Sequence, residues 1–141
     1  MKNNGILKTI RTTVLKCDTP TITGRVYPLD LIKKSLKNDK VLQERLATKT
    51  FFGELGYPID RTEANLSKVA FNVEKLYWYK NELKAVIAIL DTPDGRMLNQ
   101  ILSKVKFTTC GTGDIDLNKT ITNYQLNMIA AAHRLEASNE K

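Results

Sequence analysis

The sequence is poor in the residues that most catalytic and metal chemistry draws on. It has one histidine, His133, and two cysteines, Cys17 and Cys110, among 141 residues. A single imidazole excludes a His-pair metal site and leaves one candidate imidazole base. Two cysteines make neither a disulfide framework nor a zinc site, so reducing, intracellular surroundings are the default expectation. No apolar run approaches the roughly 18 to 20 residues of a membrane span. The start, Met-Lys-Asn-Asn-Gly, leads into no secretory apolar region. There are no repeats, linkers or low-complexity stretches, which excludes arrays and tethered modules.

What is there is an ordinary globular composition, 42% hydrophobic and 26% charged. The length fits one domain with a real core and leaves no room for two full-sized ones. Lys+Arg number 22 against 15 Asp+Glu, a net charge of +7. The clearest basic concentration is Lys33, Lys34, Lys37, Lys40, Arg45 and Lys49, at helical spacing and interleaved with Asp30, Asp39 and Glu44. That pattern fits a solvated helix face and a possible basic contact surface. No aromatics interleave with these lysines, so nucleic acid is not indicated as a partner.

Along the chain, residues 5–16 read as a strand rich in Ile, Val and Thr. Residues 17–28 hold Asp18, Pro20, Gly24 and Pro28 and read as a loop. A helix starts near Pro28, with Asp30 at its positive end and Leu29, Ile32, Leu36, Leu42 and Leu46 as its apolar side. The Asn38-Asp39 pair is the point where it breaks or kinks. From Leu66 the period changes to two, and Lys80-Asn81 separates two strands as a hairpin turn. Thr92-Pro93-Asp94 has the chemistry of a helix start: a capping hydroxyl, a proline in the first turn, an acid at the dipole. Residues 106–113 read as a short strand entering a glycine turn, where Gly111 and Gly113 supply positive φ or an oxyanion cradle. Residues 120–131 read as a strand, with a helix over 124–135 as the alternative. The expected fold is α+β: a mostly antiparallel sheet or small barrel with two amphipathic helices. Residues 1–16 form an N-terminal strand or arm, 17–135 a single domain and 136–141 a polar tail.

Three stretches, in order, carry a resemblance. They are Gly24-Arg25-Val26-Tyr27-Pro28, Gly53-Glu54-Leu55-Gly56-Tyr57-Pro58 and Ile89-Leu90-Asp91-Thr92-Pro93-Asp94-Gly95-Arg96. They resemble the G-R-x-Y-P, G-E-x-D-H-P and I-L-D-T-P-x-G-R stretches of the prohead core proteases of tailed bacteriophages. Those are serine endopeptidases related in fold to the herpesvirus assembly protease, and they cut scaffold and capsid proteins after glutamate. The family's later S-S-R-G run corresponds to Thr108-Thr109-Cys110-Gly111 here. The resemblance covers about residues 20–131 and implies the family's fold.

It also identifies what is missing. The family's general-base histidine position is Tyr57, the acid before it is Gly56, and the two serines are Thr108 and Thr109. A phenol of pKa near 10 is almost wholly protonated at neutral pH, and loss of a general base costs on the order of 10² to 10⁴ in rate. An internal threonine has no N-terminal amine to activate it. Cys110 is the better nucleophile chemically, and His133 is the one imidazole that could serve it. Glu54 and Asp91 match motif positions, with a turn contact and a helix-entry contact as their simplest roles. The expectation is the fold without the catalysis, with no cofactor and no metal. The resemblance then implies a structural protein of the virion head, a decoration, cement or minor head protein made in the host cytoplasm. Its partner would be the major capsid protein or another virion protein, with a homo-oligomer compatible and no membrane. The alternative is an active maturation endopeptidase with a Thr or Cys nucleophile.

Overall fold

The structure, a computed structural model, describes residues 5–21, 23–56 and 66–133, the side chains of Leu66 and His133 excepted. Strand β1 is Ile6–Lys16. Helix α1, Leu29–Lys37, begins directly after Pro28, carries Asp30 in its first turn and Lys34 and Lys37 in its last, and buries Ile32 and Leu36. Both ends of its dipole are thus complemented. It does not continue through Leu46 as one helix. Asp39 adopts an extended conformation, and its carboxylate accepts a hydrogen bond from the Leu42 amide at 3.1 Å. That bond caps a second helix, α2, Lys40–Ala47. With α3, Pro93–Gln100, the described residues hold three helices where two were expected. The added one comes from a side chain that ends one helix and starts another.

The other strands are β2 (Phe52–Leu55), β3 (Val69–Tyr79), β4 (Glu82–Leu90), β5 (Val105–Ile115) and β6 (Ile121–His133). They form one sheet in the order β1-β4-β3-β2-β6-β5. Four of its pairings are antiparallel. The pairing of β2 with β6 is parallel, with Glu54 opposite Ala130 and Leu55 opposite Ala131. The sheet is therefore mixed rather than purely antiparallel. It curls until its edge strands β1 and β5 come into contact, giving an open barrel. The Lys80-Asn81 turn does join β3 to β4, with Lys80 at φ 55°. Asn81 also holds the end of β1, its side-chain amide donating to the Cys17 carbonyl at 2.7 Å.

One face of the sheet carries the main core. Phe71, Val73, Ile87, Ile89, Phe107 and Ile129 are buried there, joined by Ile32, Leu36 and Leu42 of the helices. Phe71 and Phe107 meet edge to face with ring centroids 5.2 Å apart. Each such large apolar side chain contributes roughly 1.5–3 kcal/mol by burial. Helix α1 lies against β6, and α3 lies across β1, β2, β3 and β4.

The α3 entry explains a whole sequence stretch in structural terms. Thr92 accepts from the Gly95 amide at 3.0 Å and donates to the Val69 carbonyl at 2.7 Å, so one hydroxyl caps the helix and ties it to β3. Pro93 fills the first helical turn. Arg96 is ion-paired with Asp91 at the surface. A Cβ on Gly95 would run into the Leu90 carbonyl oxygen and stand 2.8 Å from that of Ala70. Backbone cannot yield as a flexible side chain can, so Gly95→Ala should lower unfolding free energy by about 2–4 kcal/mol. Asp91→Ala, at a solvent-screened pair, should cost less than about 1 kcal/mol. Denaturant titration of the two variants side by side measures the contrast.

Candidate functional site

The residues at the resembled motif positions come together on three adjacent strands. On one rung, Glu54 of β2 faces Ala130 of β6, and Ala130 faces Thr108 of β5. Partners in register share a face, so Glu54, Ala130 and Thr108 point to the same side of the sheet. Two residues along, Cys110 pairs with Met128 on that side. Cys110, Met128 and Ala130 form a small buried cluster separate from the main core. Glu54 and Thr108 are buried beside it, and neither these two nor Cys110 lacks an interaction partner. Strand spacing puts the Glu54 and Thr108 backbones about 10 Å apart, with only the Ala130 methyl between them. The arrangement is a carboxylate, a hydroxyl and a thiol on one face.

The remaining predicted residues divide sharply. Thr109 pairs with Ile129 on the opposite, core-facing side and is buried there. Of the two threonines at the serine positions, Thr108 alone shares the face with Glu54 and Cys110. Tyr57 lies outside the described residues. Gly56, which precedes it, has φ +98° and donates its amide to the Ala131 carbonyl at 2.7 Å. An acidic residue at that position would have to adopt a backbone conformation that only glycine takes readily. The backbone of His133 pairs with Val105 while Cys110 pairs with Met128. Five residues of strand separate them, about 17 Å along the ladder. That exceeds the reach of a thiol–imidazole hydrogen bond. Asp91 is at the α3 entry, its side chain exposed and paired with Arg96.

Gly111 and Gly113 form neither a turn nor an amide cradle. They lie inside β5, paired with Leu126 and Tyr124, and neither has positive φ. A Cβ on Gly111 would run into the Tyr124 ring and stand 2.6 Å from the Gln125 carbonyl. A Cβ on Gly113 would run into the Asn123 carbonyl. Tyr124 in turn meets Tyr27 edge to face, with centroids 5.6 Å apart. Gly111 lets the Tyr124 ring lie across the ribbon, and Gly113 lets the β6 backbone approach closely at Asn123. So β5 runs to Ile115 instead of ending at a glycine turn.

The six basic residues are also not equivalent. Lys33 lies over the Trp78 ring at 5.6 Å, whereas Lys34, Lys37 and Lys40 face solvent from two helices. Arg45 is half-buried and donates to the Asn127 carbonyl at 3.4 Å. Lys49 sits past the end of α2 at φ 60°. No group of three His, Cys, Asp or Glu is placed to hold a metal among the described residues. Within those residues no helix is long and apolar enough to cross a membrane. Asn72, on β3 opposite Phe52, carries a feature that sequence reasoning did not find. Its Oδ1 is buried with no hydrogen-bond partner among the described residues, and no local pattern announces an amide in that setting.

Against solved structures, the chain superposes on the capsid assembly protease gp21 of bacteriophage T4 with a TM-score of 0.76. The match covers 88% of this chain and 80% of that one, at 20% sequence identity. The fold is that of a phage prohead protease. No family model matches the sequence, and no curated protein matches it. The fold likeness therefore rests on structure together with the three motif stretches. In this setting those stretches serve β2, the loop before α1 and the α3 entry.

Two outcomes follow from burial and close contact, one in the main core and one on the β5–β6 ribbon. Cys17 is fully buried, and burial, reinforced by Asp18, pushes its thiol from 9.0 up to about 12. The folded state holds this proton more tightly than the unfolded state does. Stability is therefore unaffected below pH 9 and falls as pH rises from about 9 toward 12, by at most one proton's linkage. Thiol-alkylation kinetics should show Cys17 protected until the chain unfolds, whereas Cys17→Ala should flatten the alkaline limb of a stability–pH profile. Gly111→Ala should destabilise by about 1–3 kcal/mol. Tyr124→Ala in the same chain should recover part of that loss, a coupling that a double-mutant cycle measures directly.

Proposed function

We propose that this protein is a non-catalytic structural component of a bacteriophage head, a decoration, cement or minor head protein built on the prohead-protease fold. The observation that carries the reading is the mismatch between fold and site. The architecture follows that of a capsid assembly protease over 88% of the chain. Yet Tyr57 and Gly56 stand at the base motif, and of the threonine pair at the nucleophile positions Thr109 faces the core. A domain can keep its packed interior while its chemistry drifts, and function has to be argued from the site. The partner that fits is the major capsid protein, met through an acidic surface by Lys34, Lys37 and Lys40.

A second reading has one observation in its favour. Cys110 and Thr108 share a face with the buried carboxylate of Glu54, so a maturation endopeptidase using the thiol is chemically conceivable. Mass spectrometry of purified virions separates the two readings. The structural role predicts a fixed ratio of this protein to capsid subunits in mature particles. It also predicts that the purified protein leaves scaffold protein intact. Presence in immature heads alone, with scaffold cleavage that Cys110→Ala abolishes, would establish the protease.

A further inference from the structure

The outer face of the β1-β4-β3 block carries cations and aromatic rings that lie far apart in the sequence. Residues paired in register share a face. One rung sets Thr13 of β1 beside Lys84 of β4 and Tyr77 of β3. A second sets Lys16 beside Glu82 and Tyr79, and a third sets Arg11 beside Val86 and Lys75. The opposite face of the same strands is the core side, where Leu83, Ala85 and Ile87 are buried. On the outer rungs Arg11, Lys16, Lys75 and Tyr79 are exposed, and Tyr77 and Lys84 are half-buried. Helix α3 packs at the far end of these strands, where Gly95 lies against the Leu90 and Ala70 carbonyls. The end near the Lys80-Asn81 turn stays accessible.

The charge on this block is one-sided. Strands β1, β3 and β4, with the turn between the last two, hold six basic residues against two acids. Glu82 is already engaged: it accepts from the Thr13 hydroxyl at 2.8 Å and lies 3.4 Å from the Lys84 ammonium. Glu74 sits in the bulge between Val73 and Lys75. Tyr79 is 55% exposed, and the Nζ atoms of Lys80 and Lys84 stand 5.4 and 5.9 Å from its ring centroid. A ring able to stack a base thus has two ammonium groups beside it for the attached phosphates. Tyr77 follows on the same face, about 7 Å along the strand. Curled sheets that bind single strands use these two elements together, a cationic track for the backbone and aromatic rings under successive bases. An acidic protein surface would call on the cations and leave the rings unused.

We propose that this face binds a single-stranded polynucleotide, with phosphates on Arg11, Lys16, Lys75 and Lys84 and bases stacked on Tyr79 and Tyr77. Stacking and charge both act without regard to base identity, so the binding is sequence-tolerant. The lysines of α1 and α2 have no aromatics among them in the sequence. Here the interleaving is made by strand pairing, between residues about 70 positions apart such as Thr13, Lys84 and Tyr77. The role goes beyond the proposed place in the phage head and does not rest on it.

Fluorescence anisotropy of a labelled oligo(dT) of about 20 nucleotides, titrated with the full chain, tests this. Affinity should fall about 50-fold between roughly 50 and 200 mM salt, the loss for four neutralised phosphates on a single strand. Tyr79→Ala leaves the charge unchanged and should weaken binding about tenfold, whereas Tyr79→Phe keeps the ring and should bind like wild type. Lys75→Gln should reduce the salt slope by about 0.7, one phosphate's share. Absence of binding at low salt overturns the proposal, as does binding that Tyr79→Ala leaves unchanged. Equally tight binding of polyglutamate would assign the face to an acidic protein and would overturn it too. Virion composition is read separately, so the proposed head role can fail while the polynucleotide face stands.

Discussion

The fold depends on a missing side chain at Gly53. The sheet consists of two antiparallel blocks, β1-β4-β3 on one side and β6-β5 on the other, and the four residues of β2 are what joins them. At Gly53 a Cβ would run into the Phe71 ring of one block and stand 2.5 Å from the Ile129 carbonyl of the other. Both blocks close on the same point. With any side chain there, β2 would be pushed from β3 or from β6, and the Glu54–Ala130–Thr108 rung would come apart. The core cluster, the curl of the sheet and the candidate face all follow from that close approach.

The same strand shows why the chemistry is ambiguous and the architecture is not. A parallel β2–β6 pair brings residues from the middle and the end of the chain side by side. Here it gathers a carboxylate, a hydroxyl and a thiol on one face of the sheet. A buried carboxylate beside a hydroxyl and a thiol is chemically suggestive. The backbone of His133 pairs with Val105, three residues along the ladder from Thr108, and the second threonine, Thr109, serves the core. Packing constrains Gly53, Thr92, Gly95 and Phe71 strongly. It constrains the identity of a side chain at position 108 or 110 far less.

Much of this was legible in the sequence where the signal is local. The capping chemistry at Thr92-Pro93, the turn at Lys80-Asn81, the break at Asn38-Asp39 and the strand character of residues 6–16 each depend on a few neighbouring residues. The motif stretches then led to the correct fold and to the rung that bears Glu54 and Thr108. What could not be read depends on partners far along the chain. The parallel pairing of β2 requires β6, more than 70 residues later. Gly111 and Gly113 resemble a turn until Tyr124 and Asn123 are seen to occupy their Cβ positions. The direction of Thr109 follows from register, which no local pattern fixes. The orphan amide oxygen of Asn72 depends on the packing of several strands at once.

The curl of the sheet has a consequence for how the protein behaves in company. An open sheet offers two rows of unpaired backbone groups to any passing strand. Here the outer strands approach each other, and each is interrupted by register shifts, near Lys8 and Leu15 on β1 and near Gly111 and Ile115 on β5. Irregular edges that face one another are poor templates for a foreign strand. Such a molecule can be packed at high density and still associate through chosen side chains rather than through its backbone.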